Sequence, residues 1–282
     1  MKLILVIKIK MKKLFLIFII TFPTILVGQD ICHWFPEKCA HLLNETPKSK
    51  IALVIANTSY DNDSLSLKNP TNDAKLIASS FEKLEFKVII KENLNTEQFL
   101  DLIEEFKEKQ NKYDFSIIYY AGHAIQDENG NSYILPIDFE DKGRLEKAKL
   151  FNISNLILHL DYSRNNCLVI MDACRNEGNI GLKRPIINDP KNIKLAYSTS
   201  SGSKASDNSE MPNSIYTSNL SKMLLVDGLT ITDILDNTQK FVRIDSKDTQ
   251  NPTHYFGANI KNIQFKKNKK IFWLRRILKK KK

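Results

Sequence analysis

Between residues 50 and 256, apolar runs of strand length alternate with segments whose apolar positions recur at helical spacing. Ile51 to Ala56 is a continuous apolar run. Asp73 to Leu84 carries Ala74, Ile77, Ala78 and Phe81 at helical intervals, and Phe86 to Ile90 is again strand-like. Phe99, Leu102, Ile103 and Phe106 then repeat at i, i+3, i+4 and i+7 against a face of acids and lysines. That spacing predicts a core-facing helix that opens at Thr96, with the threonine as its cap. Phe115 to Ala121 and Cys167 to Met171 are short runs of β-branched, aromatic and apolar residues, the composition of strands buried on both faces. Between them the sequence predicts a hairpin turning at Asn129 and Gly130, and a helix over Ile153 to His159. A long loop leads to a strand at Ile193 to Tyr197, helices over Tyr216 to Leu225 and Ile231 to Val242, and a last strand near His254. Strands alternating with helices predict an α/β fold, a mostly parallel sheet with helices on both faces. Ligands of such sheets bind beyond the carboxyl ends of the strands.

Composition adds little to this picture, and charge corrects a first impression. The 282 residues are 42% hydrophobic and 9% aromatic, which is ordinary for a globular chain and excludes disorder throughout. The formal net charge of +10 invites a nucleic-acid or anionic-membrane partner. Ten Lys and Arg, however, lie in residues 266–282 and five Lys in residues 1–13, with no acid in either stretch. Residues 14–265 therefore hold 27 basic against 32 acidic groups, a net of −5, and nucleic acid is not an expected partner.

The two ends carry their own signals. Lys12 and Lys13 precede the apolar run Leu14 to Val27, which Pro23 interrupts and Gly28 follows. Residues 1–28 read as a secretory signal, or as an uncleaved anchor lengthened by Leu3 to Ile9, since 14 apolar residues fall short of the roughly 20 of a spanning helix. Either reading exports the body, to be secreted, periplasmic or membrane-anchored. Residues 29–49 are a linker in which Cys32 and Cys39 can pair or remain thiols. His33 and His41 beside them lack the second ligand cluster of a zinc site. Residues 266–282 interleave Ile271, Phe272, Trp273, Leu274, Ile277 and Leu278 with cations, either a helix lying on an anionic membrane surface or a solvated tail.

Two strand ends carry chemistry. Gly122 and His123 close the strand that ends in Tyr119 and Tyr120, while Asp172, Ala173, Cys174 and Arg175 close the strand of Val169 to Met171. Histidine and cysteine delivered to one rim form a dyad in which imidazole stabilises the thiolate that attacks an acyl carbon. Cys167, in mid-strand, is expected to be an inert buried thiol, and His159 and His254 packing or surface residues.

The run Tyr119-Tyr120-Ala121-Gly122-His123, the segment Tyr133-Ile134-Leu135-Pro136-Ile137-Asp138, and Val169 to Asn176 with Ala173-Cys174-Arg175 at its centre resemble a caspase-like cysteine peptidase domain of the metacaspase-like branch. Asn72-Asp73-Ala74, Ala196 to Thr199, Ala205-Ser206-Asp207 and Gln250-Asn251-Pro252 extend the match over residues 50–265. His123 and Cys174 are 51 residues apart, close to the roughly 50 of the caspase signature. The resemblance implies a caspase-hemoglobinase fold with a mostly parallel six-stranded sheet, His123 as general acid and base, and Cys174 as nucleophile. It further implies that Asp73 and Asp172 line a pocket for Arg or Lys before the cut, in a protein or peptide substrate. No cofactor is expected. Some relatives need calcium, but no acidic cluster of this sequence makes a defensible site. The backbone N–H groups of Ala124 and Cys174 would form the oxyanion hole. Ala124 stands where the family usually has glycine, so a catalytically impaired domain acting as a binding or scaffold module is the alternative. Lys183 and Arg184 in the loop after Arg175 are candidate self-processing sites.

Overall fold

The computed structural model describes residues 46–127, 131–140, 150–161, 166–173, 192–200, 211–257 and 263–266. Nine strands are present there: β1 (Lys50–Ala56), β2 (Lys87–Glu92), β3 (Phe115–Ala121), β4 (Ala124–Gln126), β5 (Ser132–Ile134), β6 (Phe151–Asn152), β7 (Asn166–Asp172), β8 (Ile193–Tyr197) and β9 (Thr253–Phe256). The helices are α1 (Pro70–Lys83), α2 (Thr96–Gln110), α3 (Ile153–Asp161), α4 (Ile215–Leu224) and α5 (Ile231–Asp245), with a single 3₁₀ turn at Asp63–Leu65.

Six strands form one sheet in the order β2-β1-β3-β7-β8-β9. All neighbours are parallel except β9, which runs antiparallel to β8 at the edge. The mostly parallel six-stranded sheet of the caspase-type fold is therefore present, and the physical cause is visible in the burial. Every residue of β1 and β3 is buried, and alternate side chains serve opposite faces. Ala52 and Val54 pack toward Ala74, Ile77 and Phe81 of α1, Tyr216 and Leu220 of α4, and Ile234 and Val242 of α5. Ile51, Leu53 and Ile55 pack toward Phe99, Ile103 and Phe106 of α2 and Leu156 and Ile157 of α3. A separate three-stranded sheet, β4-β5-β6, is antiparallel. Asp127 N donates to Asn131 O at 2.9 Å across the base of the β4–β5 hairpin; its tip at Asn129 and Gly130 lies outside the described residues.

Helix starts follow local chemistry. Pro70 stands in the first turn of α1, where its missing N–H costs nothing. The cap of α2 is Asn95, not Thr96: Asn95 and Gln98 form a reciprocal capping box. Thr96 instead donates both its backbone N–H and its hydroxyl to Asp138 Oδ1, at 2.8 and 2.9 Å, which ties the segment after β5 to the start of α2. Ser214 caps α4 by accepting from Thr217 N, and this cap lies at the site.

Candidate active site

The register of the central strands places the rim. β3 pairs β7 so that Ala121 lies opposite Asp172, and the chain leaves both strands at the same edge. Asn57, fully buried just after β1, closes that edge from the other side. Its N–H donates to Ala121 O at 2.9 Å, its Nδ2 to Leu135 O at 3.2 Å, and its Oδ1 accepts from Leu94 N at 3.0 Å.

His123 is held through its backbone as firmly as through its ring. Its N–H donates to Tyr60 Oη at 2.9 Å, and its carbonyl accepts from Tyr120 Oη at 2.9 Å and from Leu135 N at 3.0 Å. The Tyr60 ring also packs on the imidazole, with centroids 5.1 Å apart. Burial pushes the Tyr60 phenol up to about 12, so it stays protonated. The imidazole Nε2 lies 2.8 Å from Leu65 O. A carbonyl can only accept, so Nε2 carries the proton and Nδ1 is the basic nitrogen of the neutral ring. Gly122 is required between the two residues that fix this histidine. A Cβ there would lie 2.5 Å from the Tyr120 hydroxyl and 3.1 Å from that of Tyr60.

Ala124 begins β4 and is 6% exposed. It is not among the residues with positive φ, which outside glycine are Glu85, Asn93, Lys247 and Asp248 among those described. A strand conformation admits any side chain, so the alanine carries no positive-φ strain at this position. Leu135 N bonds His123 O, which makes residues 123 and 135 a hydrogen-bonded pair of the antiparallel ladder. Ala124 and Ile134 are then a non-bonded pair, and the Ala124 N–H points away from β5.

Asp73 in the first turn of α1 and Asp172 at the end of β7 are 2% and 7% exposed. Asp73 Oδ1 accepts from Ser214 N at 2.9 Å and Asn213 Nδ2 at 3.0 Å. Asp172 Oδ2 accepts from Ser214 Oγ at 2.6 Å and Thr217 Oγ1 at 2.7 Å, and lies 3.3 Å from Tyr119 Oη. Since Thr217 gives its proton to Asp172, its oxygen accepts from Tyr119, 2.5 Å away. Burial raises both carboxyls above the usual range, and the Asp172 charge adds to the effect on Asp73. Among the described residues no lysine, arginine or histidine contacts either carboxylate. A buried pair so placed either shares a proton or accepts a cation.

Cys174, Arg175, Lys183, Arg184 and Ala205 to Asp207 lie outside the described residues, as do residues 1–45 and 267–282 with Cys32, Cys39, His33 and His41. Cys167 is fully buried, and burial pushes its thiol up to about 12. His254 sits on β9 with Nε2 3.1 Å from Asp236 Oδ1, on the edge strand rather than with His123; the His159 side chain is not among those described. Gln250 of the Gln-Asn-Pro segment is buried and donates to Ser198 O at 2.8 Å, so that segment braces the end of β8. Sequence reasoning missed Tyr60, Leu65 and Ser214. A tyrosine in the loop after β1 gives no hint of its target, and a backbone carbonyl has no side-chain signature. Ser214 was legible only as a capping residue before an apolar helix.

Comparison with known proteins is consistent with this geometry. The family model for the caspase domain of C14 peptidases matches residues 49–264. The mucosa-associated lymphoid tissue lymphoma translocation protein 1 homolog of Mus musculus and the protein of that name from Homo sapiens are each 30% identical over 195 residues, which is 67% of this chain and 23% of theirs. The chain thus matches about a quarter of the length of these relatives.

Proposed function

Because the chain belongs to the caspase-domain family of peptidases, we propose that it is a cysteine endopeptidase that uses Cys174 and His123 and cleaves after Arg or Lys. The observation that carries this reading is the buried pair of Asp73, in the first turn of α1, and Asp172, at the end of the strand next to the one that delivers His123, which no cation contacts among the described residues. A guanidinium or ammonium entering between these carboxylates would gain charge-assisted hydrogen bonds and neutralise the pair.

The chemistry needs no group beyond the chain's own. The Cys174 thiol passes its proton to Nδ1 of His123, whose Nε2–H stays on the Leu65 carbonyl. The thiolate adds to the scissile carbonyl carbon, and the oxyanion is met by the N–H groups of Ala124 and Cys174. The imidazolium then protonates the departing amine, and water hydrolyses the thioester with His123 as base. The fixed orientation of the ring favours both transfers. Ala124 supports an intact donor in this reading, since it takes a strand conformation and its N–H points out of the β4–β5 ladder. The leader and the basic tail extend the reading to an exported or envelope-tethered enzyme acting on protein substrates.

Active-site titration with a thiol-reactive peptide ending in Arg tests it. Stoichiometric labelling of the wild type, lost in Cys174→Ala and weak for the same peptide ending in Asp, is expected. An unlabelled wild type would sink the peptidase reading, and equal labelling by the Asp peptide would sink the specificity.

A further inference from the structure

At the end of the sheet opposite His123, a cavity of about 480 Å³ is lined by Thr46, Lys48, Lys50, Lys83, Glu85 and Lys266, among others. β1 begins at Lys50 and ends at Ala56. At about 3.3 Å per residue this puts roughly 20 Å between the cavity and the rim that carries the site, so the two are separate.

The charges are unbalanced. Lys266 is paired with Asp227 at 2.6 Å and contributes no net charge. Lys48, Lys50 and Lys83 have no carboxylate at ion-pair distance among the described residues. Lys50 is only 5% exposed, and its ammonium lies 5.6 Å from the Phe86 ring centroid. It shares the strand face of Ala52 and Val54, below α1, and Lys83 ends that helix. Against three ammonium groups stand Glu85, Asp114, whose Oδ2 accepts the Lys48 N–H at 2.9 Å, and the carboxyl end of α1, the last worth about half a negative charge. The remainder is positive by roughly half a charge, and the three ammonium groups gather around a concave space. Burial holds the Lys50 ammonium below its ordinary value, with Glu85 opposing the shift. Bare desolvation of a cation without a counter-charge is costly. Thr46 Oγ1 is also buried and has no hydrogen-bond partner.

We propose that this cavity binds a compact phosphate-bearing anion, held by the ammonium groups of Lys48, Lys50 and Lys83. A phosphate group supplies several charged acceptors to three ammonium groups that have no carboxylate at ion-pair distance, and gives the Thr46 hydroxyl a partner. Two sources present this chemistry, a soluble phosphate and a phospholipid headgroup. The second has a positional argument: Thr46 joins the domain to the leader and linker, Lys266 joins it to a stretch with nine further Lys and Arg, and both line this cavity.

The test uses the full chain. Sodium pyrophosphate should raise the thermal midpoint of the wild type with saturation. Lys48→Glu/Lys83→Glu, at exposed positions that leave the core untouched, should raise the half-saturating concentration roughly tenfold or more, the usual weight of lost charge-assisted contacts. Lys75→Glu/Lys240→Glu, the same charge change at exposed sites outside the cavity lining, should leave it unchanged. No saturable shift in the wild type, an unaltered half-saturation in the cavity variant, or an equal loss in the control would each overturn the proposal. Co-sedimentation with phosphatidylglycerol vesicles, against phosphatidylcholine, then assigns the source. A matching loss of vesicle binding in the cavity variant identifies the headgroup; retained vesicle binding beside lost pyrophosphate binding identifies a soluble phosphate.

Discussion

Asp73 and Asp172 come from elements about a hundred residues apart and are joined through one serine: Ser214 gives its backbone N–H to Asp73 at 2.9 Å and its hydroxyl to Asp172 at 2.6 Å. The same hydroxyl accepts from Thr217 N and starts α4. Helix capping and the arrangement of the carboxylates are therefore one feature. A disturbance of either is felt by both.

The pair should make recognition of a basic residue depend on pH. Burial, and next the Asp172 charge, push the Asp73 carboxyl up to about 7 from its ordinary 3.8. Binding a guanidinium requires the deprotonated form, so below that value one proton must leave. The ratio of kcat/KM for a substrate ending in arginine to that of its citrulline analogue should rise by up to about tenfold per pH unit, levelling above neutrality. Effects on the Cys-His dyad cancel in the ratio. For stability the sign is reversed. A carboxyl whose folded value is raised favours folding while protonated, and that contribution is lost as pH rises from about 4 to about 7. Asp73→Asn should flatten both curves, and a flat ratio in the wild type would remove the pair from recognition.

Tyr60→Phe should weaken turnover without affecting binding. It removes the oxygen that accepts the His123 N–H at 2.9 Å but keeps the ring that packs on the imidazole. An N–H left unsatisfied there costs about 1–3 kcal/mol. Because the lost bond orients the histidine, we expect kcat to fall about tenfold or more with KM within about twofold. An unchanged kcat beside the expected loss in the denaturation midpoint would make Tyr60 purely structural.

Much of this architecture is legible from the chain. β1, β3, β7 and β8 announce themselves as apolar runs because both of their faces are covered, and Ile193 to Tyr197 agrees to the residue. The antiparallel sense of β9 was not legible, since a run of four residues at a sheet edge can pair in either sense. Thr96 misled as a cap because Asp138, 42 residues later, takes its hydroxyl. His123 was found because a histidine at a strand end marks itself, whereas Asp73, in the first turn of α1, and Asp172, at the end of β7, were assigned to a pocket through the family resemblance. The groups that hold them act through backbone atoms or arrive from distant loops, as Ser214 does from 141 residues beyond Asp73. Pattern reading has no access to such partners.

Gly122→Ala should damage stability and turnover together. The added Cβ would stand 2.5 Å from the Tyr120 hydroxyl and 2.9 Å from its ring carbon, with a φ of +154°. Tyr120 is fully buried and cannot swing aside. The backbone must shift, and with it the 2.9 Å bond from Tyr120 to His123 O. Overpacking of this kind costs about 1–3 kcal/mol. A denaturant midpoint lowered accordingly, with loss of active-site labelling, is expected; a variant of wild-type stability would show that the turn has another way to close.

Ala124→Gly distinguishes an impaired site from an intact one. If alanine distorted the backbone and spoiled the oxyanion donor, glycine would restore it, and kcat would rise by the hundred- to thousandfold (~10²–10³) that one donor is worth. Ala124 instead occupies an ordinary strand conformation, and its N–H points out of the β4–β5 ladder. Glycine then has nothing to relieve. It adds backbone freedom where β4 begins beside His123 and removes a buried methyl from the core cluster that holds Phe99, Tyr120 and Ile134. The expected result is a kcat within about twofold of wild type or below it, and a stability loss of about 0.5–1 kcal/mol from the backbone alone. A gain of tenfold or more in kcat would mean that the alanine holds the enzyme back, and would restore the reading of this domain as an impaired peptidase.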